Sequence, residues 1–122
     1  MSLKTSDIRR YYIAGPMRGI EAFNFPAFDA ATAKLRAAGY EVFNPAERDR
    51  SHGFDPTGMQ GTMEELADFN FDLREALAAD CEFICRTSTH IFMLPGWSSS
   101  KGATAERALA LALGLIIEGS PS

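Results

Sequence analysis

Four short apolar segments, each bounded by turn-forming residues, predict β-strands. The clearest is a nearly continuous apolar run from His90 to Leu94, which ends at Pro95-Gly96. A run of this kind is typical of a strand that is buried on both faces in a parallel sheet. The other three predicted strands are Tyr11–Ala14, Tyr40–Phe43 and Leu115–Ile117.

Helical periodicity fills most of the sequence between these strands. Apolar residues recur every three or four positions from Asn24 to Ala38, which predicts an amphipathic helix. A second helix is predicted from Thr62 to about Cys85, and a third from Gly102 to Leu113. The second of these rests on an apolar stripe formed by Leu66, Leu73, Leu77 and Ile84.

The stretch from Asn44 to Gly61 has no such periodicity. Its 18 residues are rich in Pro, Gly, Asp, Arg and His, and it is longer than most connections inside a domain. Segments of this kind usually form a lid, a binding loop or a mobile connection. We predict one of these three here.

The order of the elements, βαβαβαβ, predicts an α/β fold: a small doubly wound, flavodoxin- or Rossmann-like parallel sheet of four to five strands with helices on both faces. The length of 122 residues suits a single domain over residues 1–122. In such sheets ligands bind beyond the carboxyl ends of the strands. The turns Gly15–Gly19 and Pro95–Gly102 are therefore the predicted site.

The charge and hydropathy of the chain narrow its possible partners. Lys and Arg total 12 and Asp and Glu total 16, so a net charge of -4 gives no general attraction to nucleic acid or to an anionic membrane. We expect neither as a partner. No apolar run is long enough to span a bilayer, and residues 1–4 lack the apolar core of a signal peptide. We expect a cytoplasmic protein.

The cysteines and histidines do not have the spacing of a metal site. Cys81 and Cys85 lie four residues apart on a predicted helix, where we expect them to be reduced and buried. His52 and His90 fall in different kinds of segment, and we expect His52 to be exposed and His90 to form a structural hydrogen bond. We predict no metal and no other cofactor.

Two carboxylates on apolar helix faces are the strongest candidates for catalysis. Glu106 is one of two charged residues in the last predicted helix, and Asp80 falls within the apolar stripe of the helix before it. A buried carboxylate is costly unless it is hydrogen-bonded or functional. The alternative is that each caps a loop or pairs with an arginine. We favour catalysis for Glu106, and both interpretations stay open for Asp80.

The two predicted site turns carry groups that suit an anion. Gly15–Gly19 offers backbone N–H groups and the guanidinium of Arg18, and Ser98–Gly102 offers hydroxyls at the start of a helix. The alternatives are a plain connection with a solvated arginine, and serines that only cap the helix. Trp97 is a secondary candidate, because its ring could stack on a planar ligand, although a lone Trp beside a turn more often packs.

Three sequence motifs, in this order, resemble a known family. They are Tyr12-Ile13-Ala14-Gly15-Pro16-Met17-Arg18-Gly19, then Asn44-Pro45-Ala46-Glu47, then Leu94-Pro95-Gly96-Trp97 followed by Ser100, Gly102-Ala103 and Glu106. From about Tyr11 to Ile117 the chain resembles a bacterial and phage family of unknown function. That family is related to the nucleoside 2-deoxyribosyltransferases and the deoxynucleoside monophosphate N-glycosidases.

The resemblance implies a role for each residue at a matching position. Glu106 would attack the anomeric carbon of the sugar, Asp80 would lie near the site, and Tyr12 would orient the nucleophile. The residues implied or proposed to bind the substrate are Gly15, Pro16, Arg18, Gly19, Trp97, Ser100 and Gly102. Pro16 stands where the monophosphate N-glycosidases have a serine, which removes one hydroxyl and one N–H from the anion end.

The resulting hypothesis is an enzyme that cleaves or transfers the N-glycosidic bond of a (deoxy)nucleoside or nucleotide through a glutamate nucleophile, as retaining glycosidases do. The alternative is a catalytically inactive nucleotide-binding module or a phage accessory protein. The apolar last helix predicts a homodimer or a higher homo-oligomer, as the resemblance also implies.

Overall fold

In the computed structural model, which describes residues 8–122, four strands form one parallel sheet. They are β1 (Arg10–Ala14), β2 (Glu41–Phe43), β3 (His90–Met93) and β4 (Ile116–Gly119). The strand order is β2-β1-β3-β4, which places β1 and β3 at the centre. This confirms the predicted α/β fold with a small, doubly wound parallel sheet. The expectation for residues 1–4 lies outside the described residues.

Helices connect the strands and cover both faces of the sheet. They are α1 (Phe25–Ala37), α2 (Pro45–Ser51), α3 (Met63–Phe69), α4 (Leu73–Arg86) and α5 (Lys101–Ala112). Short 3-10 turns at Glu21–Asn24 and Trp97–Ser99 precede α1 and α5. Within residues 8–122, none of the helices has the length and apolar character needed to cross a membrane.

The side chains of β1 alternate between two hydrophobic cores, as successive strand residues point to opposite faces. Tyr11 and Ile13 pack in the core that holds the buried residues of α1. Tyr12 and Ala14 pack in the other core, with Ile84 of α4 and with α5. One strand therefore supplies buried side chains to both layers, and Tyr12 faces the layer that contains α4 and α5.

The first part of the predicted loop from Asn44 to Gly61 is helical, so that prediction was wrong for α2. Asn44 caps this helix, because its side chain accepts a hydrogen bond from the backbone N–H of Ala46 at 2.9 Å. Pro45 occupies the first turn, where its missing N–H costs nothing. The Asn-Pro pair that ends β2 is thus also a helix start.

The predicted helix from Thr62 to Cys85 is two helices. Asn70 adopts a left-handed backbone conformation with a φ of 61° and ends α3. Asp72 then caps α4 by accepting a hydrogen bond from the N–H of Glu75. The predicted apolar stripe is also interrupted. Leu66 and Ile84 are buried, but Leu73 and Leu77, which lie between them in the sequence, are 42% and 41% exposed.

The cysteines and histidines show one further difference from expectation. Cys81 is half-buried and Cys85 is exposed, so the prediction that both are buried was wrong. Cys85 lies in the last turn of α4, beyond the residues that the second core covers. His52 is exposed and the His90 ring is within hydrogen-bond distance of the Thr89 hydroxyl, at 2.7 Å, as expected.

Candidate active site

A cavity of about 760 Å³ lies beyond the carboxyl ends of β1 and β3. From these two central strands the chain continues in opposite directions across the sheet, to β2 on one side and to β4 on the other. Such a switch point is where doubly wound sheets bind ligands. The turns that follow β1 and β3 both line this cavity, together with parts of α2, α4 and α5.

The centre of the cavity is a buried hydrogen bond between Tyr12 and Glu106. The Tyr12 hydroxyl donates to Oε2 of Glu106 at 2.6 Å, and the two residues are 1% and 6% exposed. Glu106 lies on the buried stripe of α5 with Ala103 and Ala110, which turns its carboxyl toward β1. Tyr12 points to the same layer. The predicted nucleophile and the residue predicted to orient it are thus in contact.

Burial changes the acidity of this pair. Removal of the Glu106 carboxyl from water raises its pKa to about 8, the Tyr12 hydrogen bond acts in the opposite direction, and the neighbouring Asp80 raises it further. The pKa of Tyr12 is also raised, first by burial and then by the charges of Glu106 and Asp80. The Tyr12 hydroxyl therefore stays protonated and acts as a hydrogen-bond donor to Glu106.

Asp80 of α4 lines the same cavity and is incompletely hydrogen-bonded. Its Oδ1 atom is buried without a hydrogen-bond partner among residues 8–122. Burial, and then the charge of Asp49, raise the pKa of Asp80 to about 7. A buried acceptor with no partner is costly to the fold, typically by about 1 to 3 kcal/mol. A ligand in the cavity could supply the missing donor.

Asp49 of α2 is a third carboxyl in the cavity lining, and the sequence analysis did not identify it. It is 6% exposed, and burial raises its pKa to about 6 against the opposing effect of Arg48. A signal was present, because Asn44 followed by Pro45 with an acidic residue in the next turn is a helix-start pattern. A helix there would have placed Asp49 one turn after Pro45.

The turn after β1 contributes Gly15, Pro16 and Arg18 to the lining, as predicted. Gly15 is required by a close approach, because a Cβ at this position would lie 2.7 Å from the Cβ of Leu94. Arg18 is exposed and has no ion-pair or hydrogen-bond partner within the described part of the chain. Its guanidinium is thus free to meet an anion.

The turn before α5 brings Ser99, Ser100, Lys101 and Gly102 to the cavity. The Ser100 hydroxyl accepts a hydrogen bond from the N–H of Ala103 at 3.1 Å. Ser100 therefore caps the helix, which was the alternative to binding an anion. It lines the cavity at the same time. The cavity lining therefore includes a helix N-terminus and two basic side chains, Arg18 and Lys101.

Two predicted substrate-binding residues, Trp97 and Gly19, are not part of the cavity lining. The Trp97 ring packs against the second core, its Nε1–H donates to the carbonyl of Ser120 at 2.8 Å, and the Arg107 guanidinium lies over it. Gly19 has a φ of 79° and donates its N–H to the carbonyl of Gly61. Packing and turn formation explain both residues without a ligand.

A large part of the cavity lining is apolar and mostly aromatic. Its members come from the segment before α1, from α1 itself and from the region around α3: Phe23, Phe25, Phe28, Phe54, Leu66 and Phe71. Leu73 and Leu77 of α4 add exposed apolar surface to the lining. The lining of the cavity thus combines basic side chains, aromatic side chains and carboxyl groups.

Within the described part of the chain, no cluster of metal-binding side chains accompanies this arrangement. Among residues 8–122, the His, Cys, Asp and Glu side chains do not form a cluster of three or more with the placement of metal ligands.

A doubly wound α/β protein with a buried tyrosine–carboxyl pair at its switch point is the class that the fold and the cavity define. Residues 9–118 match the family described as Domain of unknown function (DUF4406), and the chain belongs to that family. No curated protein and no solved structure matches the chain.

Proposed function

We propose that this protein cleaves or transfers the N-glycosidic bond of a (deoxy)nucleoside or nucleotide, with Glu106 as the nucleophile. The observation that carries the proposal is the 2.6 Å hydrogen bond from the Tyr12 hydroxyl to Glu106, inside a cavity that also holds the unpartnered Oδ1 of Asp80. An oriented carboxylate beside a second carboxyl is the arrangement that retaining glycosidases use. The resemblance of the sequence motifs supports the same reaction.

The reaction follows from the two carboxyl groups. The Glu106 carboxylate attacks the anomeric carbon, the bond from that carbon to the base nitrogen breaks, and its electron pair stays on the base. Asp80 donates its proton to the departing base. Water, or a second base, then attacks the anomeric carbon of the glycosyl ester and releases Glu106, while Asp80 takes up the proton that the acceptor loses.

The acidity of the pair suits this exchange. Because burial raises the pKa of Asp80 to about 7 and that of Glu106 to about 8, the two groups together retain protons near neutral pH. A pair with one proton contains both a nucleophile and an acid once that proton lies on Asp80. Positive charge that develops on the sugar in the transition state favours the ionised form of Glu106.

A panel of deoxynucleosides and their 5′-monophosphates tests the proposal. We expect free base, detected by chromatography, from at least one member of the panel. If no member releases base, while a member raises the melting temperature of the protein, the inactive nucleotide-binding module is the better description. If none is cleaved and none binds, the proposed substrate class is wrong.

The basic side chains of the cavity lining predict a preference between charged and uncharged substrates. Arg18→Ala should raise the KM for a monophosphate by roughly ten- to hundredfold, the effect of losing a charge-assisted hydrogen bond, with little change for the matching nucleoside. Steady-state kinetics on both substrates measures this. Arg74→Ala is the matched control, because Arg74 is exposed and not part of the cavity lining. Equal effects on both substrates would make Arg18 a structural residue.

We also propose that the protein forms a homodimer or a higher homo-oligomer. Leu111, Leu113 and Ile116, at the end of α5 and the start of β4, are 54%, 45% and 55% exposed. Adjacent exposed apolar residues of this size favour burial against another protein surface. Light scattering at micromolar concentration should give at least twice the 13.3 kDa of one chain, and a particle of 13.3 kDa would contradict the proposal.

A further inference from the structure

The carboxyl group of Asp49 has no part in the reaction as described so far. It is buried, it lines the cavity, and it lies on α2, which packs against the α4 helix that carries Asp80. Its one close ionic contact is long, with 3.5 Å between Nη1 of Arg48 and Oδ1 of Asp49. A buried carboxyl with so weak a partner requires an explanation.

Contacts on the outer side of α2 fix this helix in place. The Arg36 guanidinium donates two hydrogen bonds to Glu47, at 2.6 and 2.7 Å, and the Arg50 guanidinium donates two to Asp29, at 3.1 and 2.8 Å. Two-pronged contacts of this kind restrict orientation, although exposed ion pairs add little stability. Asp49 is therefore held on the inward side of a helix that is anchored from outside.

The charges that surround Asp80 come from several elements of the fold. Those bordering Asp80 or Asp49 are Tyr12 of β1, Arg48, Arg50 and His52 of α2 and its C-cap, Cys81 of α4 and Glu106 of α5. Arg18 and Lys101 also line the cavity. Within the described part of the chain, Asp49 is the one of the three carboxyls with a cation in contact, since Nη1 of Arg48 lies 3.5 Å from its Oδ1. A neighbouring cation favours the ionised form of a carboxyl.

We propose that Asp49 is a positioning residue, whose carboxylate lines the same cavity as Asp80 and keeps on Asp80 the proton that the departing base takes up. The inference rests on the proposed function and deepens it. A negative charge beside a carboxyl disfavours its ionisation, so an ionised Asp49 makes Asp80 a better proton reservoir near neutral pH. This effect matters for substrates whose base is a poor leaving group as an anion and must be protonated as it departs.

Direct titration of Asp80 tests this without reference to activity. Carboxyl ¹³C resonances of Asp-labelled protein are followed against pH, with Asp80→Asn to assign the Asp80 signal. In Asp49→Asn, which is nearly isosteric, we expect the Asp80 midpoint to fall by about one pH unit. Asp68→Asn is the matched control, because it makes the same change at an exposed aspartate of α3 outside the cavity lining, and it should leave the midpoint in place. An unchanged or raised midpoint in Asp49→Asn overturns the inference.

The kinetic test uses the same two variants. The high-pH decline of kcat/KM, which marks the loss of the last proton from the carboxyl pair, should move to lower pH by about one unit in Asp49→Asn. A substrate whose base leaves readily as an anion should be nearly unaffected. A loss that is equal for both substrates at every pH would make Asp49 a structural residue and overturn the inference.

The two tests separate the inference from the proposed function. If the wild-type protein releases no base, the proposed function fails, whereas the Asp80 titration still reports the effect of Asp49. If base is released and the Asp80 midpoint is the same in both proteins, the proposed function stands and the role of Asp49 is overturned.

Discussion

Replacement of Glu106 by Gln should abolish base release, with a loss of several orders of magnitude in kcat. The amide is nearly isosteric with the carboxyl and can still accept the hydrogen bond that Tyr12 donates. It cannot form the glycosyl ester, because a neutral amide is a poor nucleophile. The loss of a covalent step exceeds what the loss of one binding contact produces. Single-turnover assays with the best substrate of the panel measure the effect.

A matched variant separates this loss from a general change of charge. Glu64, in the first turn of α3, is exposed and lies outside the cavity lining, so Glu64→Gln should turn over at the wild-type rate. Substrate should still raise the melting temperature of Glu106→Gln, since the cavity keeps its shape. Wild-type turnover in Glu106→Gln would show that the nucleophile is another group.

The sheet could be predicted from the sequence because each strand carries its own signal. The run from His90 to Leu94 is apolar on both faces, as the central position of β3 requires. The helices between the strands were harder to predict, because one local motif can be typical of two different structures. Asn44-Pro45 is a typical strand end, and it is also a cap with Pro in the first turn, which is the meaning that the side-chain contacts of α2 select.

The division between α3 and α4 shows a different limit. The apolar stripe continues past Asn70 in the sequence, because periodicity records the spacing of residues and not the backbone path. In the structure the left-handed conformation of Asn70 and the cap at Asp72 interrupt the helix. These local interactions compete with helix continuation, since Asn and Asp side chains readily bond to nearby backbone groups.

The candidate site was predictable where a charged residue stands among apolar ones. Glu106 met that condition, and the structure buries it. Its contact with Tyr12 depends on how α5 packs against β1, 94 residues earlier in the chain, and residue spacing alone does not determine it. Asp49 was missed because its helix was assigned to a loop, where an acidic residue is ordinarily solvated.

The buried carboxyl of Glu106, which we propose as the nucleophile, should also weaken the fold as the pH rises. Burial raises the pKa of Glu106 to about 8 in the folded protein, from an ordinary value of 4.5, so the unfolded chain releases its proton first. The folded state is then penalised increasingly between these two values. The penalty is absent below about pH 4.5 and is nearly complete at pH 8.

Glu106→Gln should therefore be more stable than the wild type at pH 8, although it is inactive. We expect the free energy of unfolding in urea to rise by roughly 2 to 4 kcal/mol at pH 8, and by less than about 0.5 kcal/mol at pH 4, where the wild-type carboxyl is protonated in both states. For Glu64→Gln the difference in the free energy of unfolding from the wild type should not grow with pH, since the Glu64 side chain is in water both before and after unfolding. A variant that is equally stable or less stable at pH 8 would mean that Glu106 ionises without penalty in the fold, and the shared-proton chemistry proposed for it with Asp80 would lose its basis.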